Sequence, residues 1–163
     1  MLPEVKDILF ATDLSKNSDN ALRHALTMAR ANGAKLHVLH VTEPLSQDAV
    51  VTLQMFMQDD ESRKKAIRDR HESVKQMLKQ NQKEFLNSLS GKDKEAYSAV
   101  GSVELVDGHP AEMILQRAAE LDCQLIVMAT HEQGTGHTFI GTVTKRVLRR
   151  SSIPTLIVPN PSD

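Results

Sequence analysis

Four short apolar runs, Ile8–Ala11, Lys35–Val41, Leu125–Ala129 and Ile153–Val158, recur along the 163-residue chain. Runs of this length and continuity read as strands covered on both faces. A fifth stretch, Tyr97–Val106, carries Val100, Val103, Leu105 and Val106 in a less regular pattern and stops at Asp107-Gly108. Between these runs the apolar period changes to that of a helix. Ala21, Leu22, Ala25, Leu26 and Ala29 form one stripe that closes at Asn32-Gly33, a stop signal for a helix. Ile67, His71, Val74, Leu78, Phe85 and Leu89 mark a long amphipathic helix over about Asp60–Leu89, set among charges of both signs. Pro110 opens a third helix with Ala111, Ile114, Leu115, Ala118 and Leu121 on its stripe. Gly141-Thr142 opens a fourth, carrying Val143, Val147 and Leu148, with Lys145, Arg146, Arg149 and Arg150 in its later turns.

The alternation of strand and helix predicts an α/β fold, a mainly parallel sheet of five strands with right-handed crossovers and helices on both faces. A single domain over residues 1–163 is expected, since a chain of this size hides roughly 70% of its extended surface. Thr42–Asp59 has no clear period. It reads as a mobile flap or a helix start, or as a segment in which Met55, Phe56 and Met57 pack onto the sheet.

Charge narrows the partners. Lys and Arg total 20 against 21 Asp and Glu, so there is no broad positive field for nucleic acid or an anionic membrane. No apolar run approaches the eighteen or so residues that span a bilayer, and the short polar start, Met1–Lys6, does not read as a leader. The one cysteine, Cys123, leaves no intrachain disulfide to form and suits a reducing cytoplasm.

In a parallel sheet, ligands gather beyond the carboxyl ends of the strands where strand order reverses. Two segments are therefore expected to face one crevice: Thr12-Asp13-Leu14-Ser15 after the first strand, and the polar loop Thr130–Thr142 after the fourth. Gly141-Thr142-Val143 opens a helix whose free N–H groups and positive dipole end suit an anion. The plainer alternative is that Gly141 and Thr142 only cap that helix.

Several blocks carry a resemblance: Asp7–Ser15, His37–Val41, Gly108–Ile114, Asp122–His131 running into Gly141–Val143, and Ser152–Val158. Together, in this order and spacing, they resemble the universal stress protein family over nearly the whole chain. The resemblance implies a doubly wound, Rossmann-like sheet of order 3-2-1-4-5, akin to the adenine nucleotide alpha-hydrolase fold, and a homodimer through the last strand, Ile153–Val158. It also implies ATP or AMP between strands one and four, with Mg2+ only through the phosphates. By that analogy Thr12, Asp13 and Val41 surround adenine, and Ala11, His131, Glu132, Gly134 and Gly136 are further candidates for contact with the nucleotide. Met128 and Ala129 lie near the ribose, and Gly141, Thr142 and Val143 hold phosphate.

The chain also departs from the family pattern. ATP-binding members carry Gly, two residues, Gly, nine residues, Gly and then Ser or Thr; here Ala129-Thr130-His131-Glu132 replaces the paired glycines, and the spacer to Gly141 is one residue short. A side chain at Glu132 costs about 1 kcal/mol if that position needs positive φ. Its carboxylate adds about 1–3 kcal/mol of repulsion roughly 5 Å from a phosphate. Gly134 and Gly136 could rebuild the loop in a shifted register, and Glu132 could turn outward or hold a divalent cation. His131 and His137 share this loop, but no metal-binding spacing such as H-E-x-x-H or C-x-x-C is present. Neither G-x-S-x-G nor a P-loop appears, so dedicated catalysis is not expected. Asp13 or Ser15 reads as the cap of the first helix. His37 and His40 read as satisfied strand histidines. The expected function is a cytoplasmic, dimeric stress or signalling protein that binds an adenine nucleotide and acts on a protein partner that the sequence leaves unnamed. The alternative is a nucleotide-free dimeric interaction module.

Overall fold

The computed structural model describes residues 1–133 and 137–161, with the backbone alone over 131–133 and 137–139. In chain order the elements are β1 (Asp7–Ala11), α1 (Lys16–Asn32), β2 (Lys35–Thr42), α2 (Gln47–Phe56), α3 (Asp60–Ser88), α4 (Gly91–Ala96) and a 3-10 turn (Tyr97–Ala99). Then follow β3 (Val100–Asp107), α5 (Pro110–Glu120), β4 (Leu125–Ala129), β5 (His131–Gln133), β6 (His137–Phe139), α6 (Thr142–Arg150) and β7 (Thr155–Val158).

Five strands form one parallel sheet in the order β3-β2-β1-β4-β7, the 3-2-1-4-5 order implied by the family resemblance. Ile8 aligns with Leu36 on one side and Leu125 on the other. Successive residues of a strand face opposite sides, and the two core layers follow that rule. Ile8, Phe10, Leu36 and Val38 pack with the α1 stripe and Phe85. Leu9, Leu39, Ile126 and Met128 pack with Ile114 and Ala118 of α5 and Val147 of α6. The middles of β1 and β4 are sealed on both sides, which is why Ile8–Phe10 and Ile126–Met128 read as unbroken apolar runs.

Boundaries differ from the sequence expectation where local hydrogen bonds compete with the ladder. The last strand begins at Thr155, not Ile153, because Ser151 Oγ accepts from Ile153 N at 3.0 Å and donates to Ile153 O at 2.7 Å, holding a turn ahead of Pro154. Tyr97–Ala99 coils as a 3-10 turn before β3, its ring held by a 2.9 Å bond from the hydroxyl to Gln82 Oε1.

Thr42–Asp59 contains a ten-residue helix, α2, capped by Ser46. Met55 and Phe56 do not pack onto the sheet, being 72% and 83% exposed, and α2 has no buried residue, while Met57 at its C-cap is half-buried. The expected loop Thr130–Thr142 contains an antiparallel pair, β5 with β6, in which Glu132 aligns with Thr138. Three-residue polar strands have no hydrophobic alternation to betray them. His37 is satisfied as expected, with Nε2 and Nδ1 each 2.8 Å from Asp7 Oδ1 and Ser102 Oγ.

Candidate functional site

The tip of β1 turns sharply into α1, and short polar side chains make that turn. Thr12 N donates to Leu39 O at 2.9 Å, tying the tip to β2. Thr12 Oγ1 accepts from Leu14 N at 3.0 Å, and Leu14 takes a left-handed backbone with φ of 66°. Asp13 Oδ1 accepts from Ser15 N at 2.9 Å and from the Ser18 hydroxyl at 2.7 Å, while Asp13 N donates back to Ser18 Oγ at 3.2 Å. Ser15 caps α1 by accepting from Ser18 N. Asp13 therefore braces the loop, and Ser15 is the cap of the pair expected from sequence.

Across from this loop α6 begins. Gly141 is its N-cap residue, with extended backbone and no side-chain cap bond. The first turn of α6 thus brings N–H groups and the positive end of the helix dipole to the cleft edge.

Between the two lies a cleft of about 530 Å³, within the usual range for small-molecule sites. Thr12, Asp13, Val41, Met128, Ala129, Gly141, Thr142 and Val143 all line it, as does Ala11. His131 and Glu132 lie on β5, their side chains outside the described residues, and Gly134 and Gly136 also lie outside them.

Seven further lining residues escaped the sequence reading: Ser18, Leu39, His40, Glu43, Pro110, Ile114 and Thr144. Ser18 and Thr144 sit one helical turn beyond named loop residues, a spacing that could have found them. Leu39, His40 and Glu43 enter because β2 runs beside β1 in register, Ala11 opposite Leu39. Pro110 and Ile114 arrive through the crossover from β3, which no local pattern announces.

The described walls are largely apolar, with Val41, Ile114 and Met128 among them, and the charged residues they include are Asp13 and Glu43. No lysine, arginine or cysteine is among the described lining residues. An anion in the cleft would therefore rely, within the described residues, on the α6 amides and the Thr142 and Thr144 hydroxyls. Among the described residues no three His, Cys, Asp or Glu side chains gather as a metal site.

A doubly wound sheet with its cleft at the reversal of strand order, between β1 and β4, defines an α/β protein of the Rossmann-like class. The universal stress protein family model matches residues 4–159. The chain belongs to that family. A universal stress protein of Thermus aquaticus, encoded in the QAH/OAS sulfhydrylase 3' region, is 30% identical over 154 residues, 94% of this chain and 98% of its own. Hypothetical protein MJ0577 of Methanocaldococcus jannaschii shares the fold at a TM-score of 0.63 and 21% identity, over 99% of this chain and all of that one. A universal stress protein solved in complex with cAMP superposes at 0.59 with 20% identity, over 98% of this chain and 100% of its own.

Proposed function

We propose that this universal stress protein binds an adenine nucleotide in the cleft between β1 and β4 and acts as a nucleotide-responsive stress or signalling protein without dedicated catalysis. The observation that carries the reading is the convergence of Thr12, Asp13, Val41, Met128, Ala129 and the α6 entrance on one cleft. Apolar walls suit a purine, and an uncapped helix start suits a phosphate. The fold relative in complex with cAMP supports the same ligand class. A single phosphate fits this lining better than three, because Asp13 and Glu43 are its described charged residues and no lysine or arginine is among the described lining residues. AMP is accordingly the favoured ligand over ATP, and Mg2+ would enter only with phosphates.

Calorimetric titration of ligand-stripped protein with ATP and with AMP, each with and without Mg2+, tests the reading. AMP is expected to bind with a Kd below about 1 mM, equivalent to about −4 kcal/mol. Silence in all four titrations would overturn it.

One observation favours a second reading, a nucleotide-free dimeric module. The segment that holds the phosphate-loop glycines in ATP-binding members is here the paired strands β5 and β6. Under that reading the purified protein carries no nucleotide and Glu132→Gly gains no affinity. Both readings place a homodimer contact on β7, an edge strand whose half-buried Leu156 and Ile157 suit pairing with a second copy. Ile157→Lys should then shift the protein to a monomer in sedimentation. A cytoplasmic location goes with both.

A further inference from the structure

We infer that His40 is a specificity residue of the cleft, selecting purines with a 6-amino group over those with a 6-oxo group. The inference rests on the nucleotide reading above and adds to it the atom that would distinguish the base.

His40 Nδ1 lies 2.7 Å from the main-chain oxygen of Thr12. A carbonyl oxygen only accepts, so Nδ1 carries the proton of this bond, and in the neutral ring Nε2 is left with a lone pair and no hydrogen. The bond thereby fixes the tautomer. Nε2 has no protein partner among the described residues, and it is not sealed away as a buried unpaired atom. The residue lines the cleft beside Thr12 and Val41.

The ring is also held in place. Thr12 is itself tied to β2 by its N–H to Leu39 O, so the carbonyl that holds His40 is fixed, and turning the ring away would forfeit the second of the two bonds between the tips of these strands. An acceptor set rigidly in an apolar-walled cleft discriminates by what faces it. The amino group of adenine donates a hydrogen, whereas the 6-oxo group of hypoxanthine or guanine brings lone pairs against a lone pair. Asp13 and Glu43, the charged lining residues, are acceptors when ionised. The described charged groups of the cleft therefore favour a donor-bearing base as His40 does.

The test begins with wild-type protein and ligands that differ at one position. AMP, purine riboside 5′-monophosphate and IMP share ribose and phosphate, so their affinities isolate the 6-substituent. AMP is expected to bind about tenfold more tightly than the unsubstituted purine and at least about tenfold more tightly than IMP. Long-range proton–nitrogen NMR of the ligand-free protein should show His40 with its proton on Nδ1. AMP, but not ribose 5-phosphate, should then move the Nε2 resonance. In His40→Phe, which keeps the ring and removes both nitrogens, the preference for AMP over IMP should fall to within about twofold.

Equal affinity for AMP and IMP, or a His40 proton found on Nε2, would overturn the inference while leaving the nucleotide reading intact. Failure of every ligand to bind would overturn both. Should His40→Phe not fold, the ligand series and the NMR tautomer decide the question without it.

Discussion

The two halves of α3 are written in the same amphipathic pattern yet end in opposite environments. From Leu78 onward the helix lies on the sheet, with Leu78, Gln82 and Phe85 buried. Phe85 sits under the Arg23 guanidinium at 5.3 Å and beside the Tyr97 ring at 6.3 Å. Toward its start, Ile67 continues the same stripe but is 51% exposed, and the preceding α2 leaves Val51, Met55 and Phe56 exposed as well. This end is fastened by polar links instead. Arg70 donates to Glu43 O, and His71 meets Asp107 at 3.2 Å. Helical periodicity specifies that a helix forms and which face is apolar, but the reach of the sheet decides how much of that face is covered.

Two phenylalanines put the largest number on this contrast. Phe85→Ala removes a ring that is 2% exposed and should destabilise the protein by about 3–5 kcal/mol in urea denaturation. Phe56→Ala removes one that is 83% exposed and should stay within about 0.5 kcal/mol of the parent. A cost for Phe56→Ala approaching that of Phe85→Ala would break the comparison, showing the exposed arm to be packed in solution.

Cys123 offers a smaller effect, on the other face of the sheet. It is 5% exposed within the α5 and α6 core layer. Burial, reinforced by repulsion from Asp7 and Asp122, pushes its thiol up from 9.0 to about 11. A raised pKa means the folded state resists losing this proton. Its contribution is therefore fully present below the unfolded-state value and is lost as pH climbs from about 9 through about 11. Over that window wild type should lose about 2 kcal/mol relative to Cys123→Ala, in paired urea titrations at each pH. Parallel losses in the two proteins would show the site to be hydrated, and so no more sealed than the arm.

The same division explains what could be read in advance. The alternation of strand and helix was legible because β1 and β4 are sealed on both sides and so leave continuous apolar runs, and the closing Gly33 of α1 carries its own chemistry, whereas the strand order came only through the family resemblance. The loop residues of the cleft were legible because they follow those runs directly. His40 was visible only as a strand histidine, since its bond to Thr12 O exists only once β2 lies beside β1. The α2 helix was ambiguous because Val51, Met55 and Phe56 are apolar without being covered. The β5 and β6 pair was hidden because residues such as His131, Glu132 and Gln133 carry no strand signature. In each case what could not be read depended on a long-range neighbour or on the absence of one.

The smallest test of the comparison uses two glycines in the same backbone state. Gly33 ends α1 with φ of 63°, its N–H and that of Ala34 closing on Arg30 O and Ala29 O, and Gly91 opens α4 with φ of 54°. A Cβ at either would meet nothing within 4 Å, so substitution reports backbone strain alone. Gly33 closes a helix locked into the core, and Gly33→Ala should cost about 1 kcal/mol. Gly91 begins a six-residue helix with no buried residue, which can relax around a Cβ, and Gly91→Ala should cost only about 0.3 kcal/mol, read as a smaller shift in urea midpoint at unchanged m. Equal costs would mean that the link from α3 into β3 is as rigid as the core itself, and the division between sealed sheet and loosely held periphery would then stop at the first half of α3.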